Sequence, residues 1–201
     1  MPADCVFSAP DAESIYDVPL YLSDEGLDDK VVEKLGIWTG RPDISAWKNM
    51  VNTIHKPKYE TTIGIVGKYT DWRDTYKSIS ESLIHGGVAN NSKVKPIYID
   101  SEELEKGNLS ALDEVDAILV PGGFGERGIE GKIKAIHYAR TEGVPFFGIC
   151  LGMQLATIEY ARNVCGITDA NSAEFKPEGK NNVIDLMESQ KGVKDLGGPL
   201  S

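Results

Sequence analysis

The feature that most constrains this chain is an alternation that begins at Thr61. Short apolar runs of buried-strand character alternate with longer segments of helical period. Thr62–Val66, Lys93–Ile99, Asp116–Val120 and Val144–Ile149 read as strands. Trp72–Val88, Ile129–Thr141 and Met153–Arg162 read as helices, with a weak helical segment around Gly107 between Ser101 and Leu112. Ile133, Ile136 and Ala139 share one inward face, as do Ile79, Leu83 and Tyr76. Strands alternating with helices at this length build right-handed βαβ units on a parallel sheet. The expectation is an α/β fold, a flavodoxin-like, doubly wound and mostly parallel sheet. In such a sheet ligands bind beyond the carboxyl ends of the strands.

Three unusual stretches fall at that edge: Gly67-Lys68-Tyr69, Pro121-Gly-Gly-Phe-Gly125 and Gly148-Ile-Cys150-Leu-Gly152. In the last, a strand turns directly into a helix with a reactive side chain between two glycines. That is the G-x-nucleophile-x-G elbow with cysteine in place of serine. The glycines are needed where a Cβ would strike neighbouring backbone. The turn sets the sulfur at a helix N-terminus, where unpaired N–H groups and the dipole favour an anion. Cys150 is therefore a candidate nucleophile. The glycines of residues 121–125 leave backbone N–H groups free to point into the same site, as an oxyanion hole requires.

The other candidates are weaker. Gly64-Ile-Val-Gly-Lys68 lacks the GxxxxGK[ST] spacing, so Walker A is rejected and Lys68 reads as a rim or interface charge. His55, His85 and His137 lie in or beside helices and read as surface or capping groups. The acidic run Asp100–Glu105 reads as a solvated helix start. A cysteine nucleophile needs a base, and no histidine here has a recognisable catalytic context.

Residues 1–60 differ from the rest. Ser14–Leu22 reads as an extended segment broken by Pro19, followed by a helix on Leu27, Val31 and Leu35 that stops at Gly36. A second helix is expected over 43–54, carrying Trp47, Met50 and Ile54. Beyond Asn163 the chain is turn-rich, with one possible strand at Val183–Met187. The net charge of −10 argues against nucleic acid as main partner, and no apolar run approaches a membrane span. Three cysteines without CxxC spacing indicate neither disulfides nor zinc, and point to a reducing cytoplasm.

Longer strings make the residues familiar. Val120-Pro-Gly-Gly-Phe-Gly-x-Arg127-Gly128, Cys150-Leu-Gly-Met-Gln-Leu-Ala156 and Ser172-Ala-Glu174-Phe175 resemble the class I glutamine amidotransferase domain of the CTP synthase family. So do Gly67-Lys-Tyr69 and Asp74-x-Tyr76-x-Ser78, while Ser14-Ile-Tyr16-x-Val18-Pro19-Leu20 resembles the end of that family's synthetase domain. The resemblance implies a synthetase remnant over 1–42, an interdomain linker over 43–60 and a partial amidotransferase domain over 61–201, truncated at its C-terminus.

It further implies that Cys150 attacks the glutamine carboxamide, with the N–H groups of Gly123 and Leu151 holding the oxyanion. Gly123, Phe124, Leu151, Gly152, Met153 and Gln154 are implied to bind glutamine, with Glu174 at its α-ammonium. Phe124–Gly128 resembles a lid linked to GTP activation. The family's full-length enzyme uses ATP and Mg²⁺ to aminate UTP to CTP with GTP as activator, and assembles as a tetramer; no cofactor is implied for this stretch alone. The family's His-Pro-Glu does not occur in this sequence, so the chain is expected to carry the nucleophile without its base and to be inactive alone. The rival readings are another class I amidotransferase, or a non-catalytic binding or assembly module on the same fold.

Overall fold

The computed structural model describes residues 2–40, 42–68 and 73–187. Tyr69, Trp72 and the Gly197–Ser201 tail lie outside the described residues. The chain divides into two compact units. One comprises Met1–Glu60 with Leu83–Lys93, the other Thr61–Ser82 with Val94–Ser201.

The first unit is helical. Its helices are α1 (Val18–Asp24), α2 (Leu27–Leu35) and α3 (Ser45–His55). The extended reading of Ser14–Leu22 is corrected here, because Pro19 sits in the first turn of α1 rather than breaking a strand. A first-turn proline forfeits only an N–H that had no helical partner, and its fixed φ suits the helix. The α2 helix ends at Gly36, in the left-handed conformation at φ 64°. Tyr16 joins the pieces: its carbonyl accepts from Trp47 Nε1 at 2.9 Å, and its hydroxyl lies 2.7 Å from His85 Nε2. Buried Asp17 is held 2.7 Å from His55 Nε2.

The sheet has the strand order β2–β1–β3–β4, the flavodoxin-like order. Its strands are β1 (Tyr59–Gly67), β2 (Ser92–Asp100), β3 (Ala117–Val120) and β4 (Phe146–Gly148). Parallel pairing joins β3 to both β1 and β4. The fourth strand is shorter than its apolar run because Pro145 brings no N–H; its carbonyl still accepts from Ile118 N at 2.9 Å.

The helix expected over 72–88 instead starts with a 3-10 turn, Arg73–Tyr76, and continues as α4 (Lys77–Ala89). It ends at Ala89, one residue beyond the expected Val88. The Gly86 carbonyl accepts from both the backbone and the side-chain amide of Asn90, which caps the last turn. The weak helical segment resolves into α5 (Ser101–Glu105) and a 3-10 turn at Ser110–Leu112, separated by left-handed Gly107. Asp100 caps α5 by accepting from Glu102 N at 2.8 Å, so the acidic run does begin a helix.

Two long helices complete the core, α6 (Ile129–Glu142) and α7 (Leu151–Asn163). Ile133, Ile136 and Ala139 of α6, with Leu151, Leu155 and Ile158 of α7, pack with Val66, Ile118 and Val120 of the strands. Each such fully buried aliphatic side chain contributes about 1.5–3 kcal/mol relative to exposure. The expected last strand is confined to β6 (Asn182–Ile184), which pairs in parallel with β5 (Asn171–Ser172). No described helix is long and apolar enough to cross a membrane.

Candidate active site

Cys150 occupies the N-cap of α7 with φ 51° and ψ −106°. Only one other described non-glycine residue, Asn91, has positive φ. A cysteine held there costs on the order of 1–3 kcal/mol, so the surroundings must over-determine the turn. Ile149 N donates to Val120 O at 2.9 Å, which carries the β3–β4 ladder one residue further. Gly152 N donates to Ile149 O and Gln154 N to Cys150 O, which closes the first turn of α7.

The flanking glycines make this path possible. A Cβ on Gly152 would lie 2.1 Å from Val120 O, and one on Gly148 would lie 2.5 Å from the Gly152 carbonyl carbon. Both positions are therefore restricted to glycine by close backbone approach. The thiol-bearing residue itself is exposed.

Beside it runs the turn that follows β3. A Cβ on Gly122 would come 3.5 Å from Cys150 Cβ, and one on Gly123 would come 3.6 Å from Leu151 Cδ2. The Gly122–Gly123 backbone and the first turn of α7 thus flank Cys150. The early N–H groups of a helix have no intrahelical acceptor, so Leu151 N–H is a natural donor to an anion at this point. Leu151 and Gly152 are buried, Gln154 is half-buried, and Phe124 and Met153 are exposed. Glu174 is exposed and accepts from Gly125 N at 3.3 Å, which ties the Ser172–Phe175 segment to the glycine turn.

Lys68 has a more definite role in the structure than a rim charge. Its Nζ donates to Phe124 O at 2.7 Å and Gly125 O at 3.1 Å, pinning the turn to the end of β1. Burial, then the neighbouring Arg127, holds this ammonium below the usual lysine range.

A second lysine was not singled out from the sequence. Lys132 of α6 is fully buried, and its Nζ lies 3.8 Å from where a Gly123 Cβ would stand. Burial first, and then Lys68, lower it to about 8. The signal was present: position 132 is three residues after Ile129 and four before Ile136, both buried, so helical period puts it on the inner face.

The histidines are engaged elsewhere. His137 Nδ1 lies 2.8 Å from Glu159, a buried carboxylate that also receives Arg140 and Asn163. Burial pushes the Glu159 carboxyl up, but hydrogen bonds from Arg140, His137 and Asn163 outweigh it and hold the group below its usual range. Glu159 follows Cys150 by nine residues, roughly 13 Å along a helix at 1.5 Å per residue. This pair therefore braces α6 against α7, and His137 is not the base for Cys150.

The profile of the family described as "Glutamine amidotransferase class-I" matches residues 72–198, more than half of the chain. The chain belongs to the class-I glutamine amidotransferase family. Among curated relatives, the chain is 57% identical to a CTP synthase from Geobacter sulfurreducens and 59% identical to one from Geobacter metallireducens, each over 97% of its length. It spans 37% of the length of either relative. A solved structure, the Trypanosoma brucei CTPS glutaminase domain with bound acivicin, is similar with a TM-score of 0.61 and 43% identity. That similarity covers 65% of this amidotransferase chain and 51% of the trypanosome chain. The α/β fold read from the sequence is the fold of this domain.

Proposed function

We propose that this chain is the ammonia-supplying, glutamine-hydrolysing part of a CTP synthase and carries the nucleophile side of its site. The observation that carries the reading is the strained Cys150 elbow lying directly beside the Gly122–Gly123 turn. In this mechanism the Cys150 thiolate attacks the side-chain carboxamide carbon of L-glutamine. The carbonyl electrons move onto oxygen, where the N–H groups of Gly123 and Leu151 stabilise the oxyanion. On collapse the C–N bond breaks, the nitrogen takes up a proton, and ammonia leaves. Water then cleaves the γ-glutamyl thioester to glutamate and restores the thiol. Phe124, Gly152, Met153 and Gln154 line the bound amino acid, and Glu174 pairs with its α-ammonium.

The proton deliveries need a general base, and the reading places that group outside these 201 residues. Residues 1–42 then belong to the synthetase domain, 43–60 to the linker and 61–201 to the amidotransferase domain. In the full-length, cytoplasmic and tetrameric enzyme, ATP with Mg²⁺ would activate UTP for attack by the released ammonia, with GTP as activator.

The test is capture by acivicin, the ligand of the trypanosome neighbour. Peptide mapping should find one adduct, on Cys150, and ammonia release from L-glutamine by the 201-residue chain should stay near background. Equal labelling of Cys5 and Cys165 would refute the assignment of the nucleophile. Robust turnover would show that a base lies within the chain.

A further inference from the structure

A cavity of about 330 Å³ adjoins the glycine turn, lined among others by Lys68, Tyr76, Ile79, Gly123, Phe124 and Lys132. Its lining is chemically one-sided. Lys68, Lys132, Thr75 and Tyr76 line it, and among the described residues no acidic side chain does. Among the described residues no carboxylate offsets Lys132: burial and the adjacent Lys68 act on it, and both disfavour its charge. Lys68 donates to two carbonyls of the turn, whereas Lys132 is buried on the inner face of α6 and among the described residues has no such acceptor.

A buried cation left without a counter-charge costs free energy, and an anion entering the cavity would recover it. The volume is several times a water's share of the liquid, roughly 30 Å³. Lysine serves well as a point charge toward phosphate and carboxylate oxygens.

We propose that this cavity is an anion-binding site, with Lys132 at its base and Lys68 on its wall, for a small oxyanion of the phosphate or carboxylate class. Gly122, Gly123 and Phe124 also line the cavity, so it adjoins the Cys150 site, but the proposal does not rest on the glutaminase reading. The anion accepts hydrogen bonds from both ammonium groups and from the tyrosine hydroxyl. It favours the charged form of Lys132, which burial and the neighbouring Lys68 disfavour.

The experiment titrates the 201-residue chain with inorganic phosphate and, separately, with acetate, at constant ionic strength by calorimetry. Saturable binding of at least one anion is expected, weakened tenfold or more in Lys132→Met, a substitution that keeps the length of the side chain. The arm that binds identifies the class of ligand. A second measurement needs no variant. Acetic anhydride should acylate Lys132 more slowly in the presence of the anion that binds, while exposed Lys134 on the same helix reacts at an unchanged rate. Binding of neither anion, equal affinity in Lys132→Met, or no protection of Lys132 would overturn the proposal.

Discussion

The closest backbone approach at the Cys150 elbow is at Gly152, where a Cβ would strike the end of β3. An alanine there would bring its Cβ to 2.1 Å from Val120 O, 3.0 Å from Val120 C and 3.1 Å from Val120 Cβ. Ordinary contact begins near 3.4 Å, so the start of α7 must withdraw from the end of β3 by about 1 Å. That withdrawal is resisted because Leu151 and Leu155 on the same turns are fully buried. Overpacking of this kind costs about 1–3 kcal/mol. For a chain of this size that lowers the melting temperature by roughly 2–12 °C, at about 2–4 °C per kcal/mol.

Gly86 provides the control, since a Cβ there meets nothing within 4 Å and the residue is inside α4. Gly86→Ala should stabilise by about 0.5–1 kcal/mol, because alanine loses less backbone entropy in a helix. Thermal melts followed by circular dichroism read both variants, and alkylation of Cys150 by iodoacetamide reports on the elbow. Gly152→Ala should melt lower and alter the alkylation rate, while Gly86→Ala leaves that rate unchanged. If Gly152→Ala melts within a degree of the parent with the same Cys150 reactivity, the elbow is not held by close approach to β3.

Three further outcomes follow from the same contacts. Leu155→Ala, at a fully buried position of α7, should lose about 2–5 kcal/mol in chemical denaturation. Glu159 has a depressed carboxyl pKa in the fold, so its contribution to stability is present above the unfolded carboxylate pKa, near about 4.3, and is lost as pH falls through the lower folded value. Arg140→Ala should therefore lower the melting temperature at pH 7 and flatten its decline on acidification; parallel parent and variant curves would remove the pair from the acid transition. Lys68→Met, which removes the ammonium that donates to the Phe124 and Gly125 carbonyls, should speed amide exchange across 122–126 and leave α7 unchanged.

The parts of this structure that were legible in the sequence are those where pattern and backbone chemistry agree. The strands of the sheet and helices α6 and α7 fall where apolar period places them, because their buried faces dominate their folding. The elbow was legible because only glycine tolerates the two close approaches around Cys150. Reading failed where a residue's effect depends on its position within an element. Pro19 reads as a breaker until it lies in the first turn of a helix. Lys132 escaped notice because a lysine in an amphipathic helix suggests solvent, although its spacing from Ile129 and Ile136 points inward. The Lys68 clamp joins residues 56 and 57 positions apart, and nothing local records it.

Substrate protection tests most directly whether Cys150 serves a glutamine carboxamide. Acivicin capture of Cys150 can be followed by intact mass in the presence of increasing L-glutamine, with L-asparagine, one methylene shorter, as the comparison. Glutamine should slow capture in a saturable way while asparagine leaves the rate unchanged. The same rate with glutamine, asparagine or neither would contradict the account.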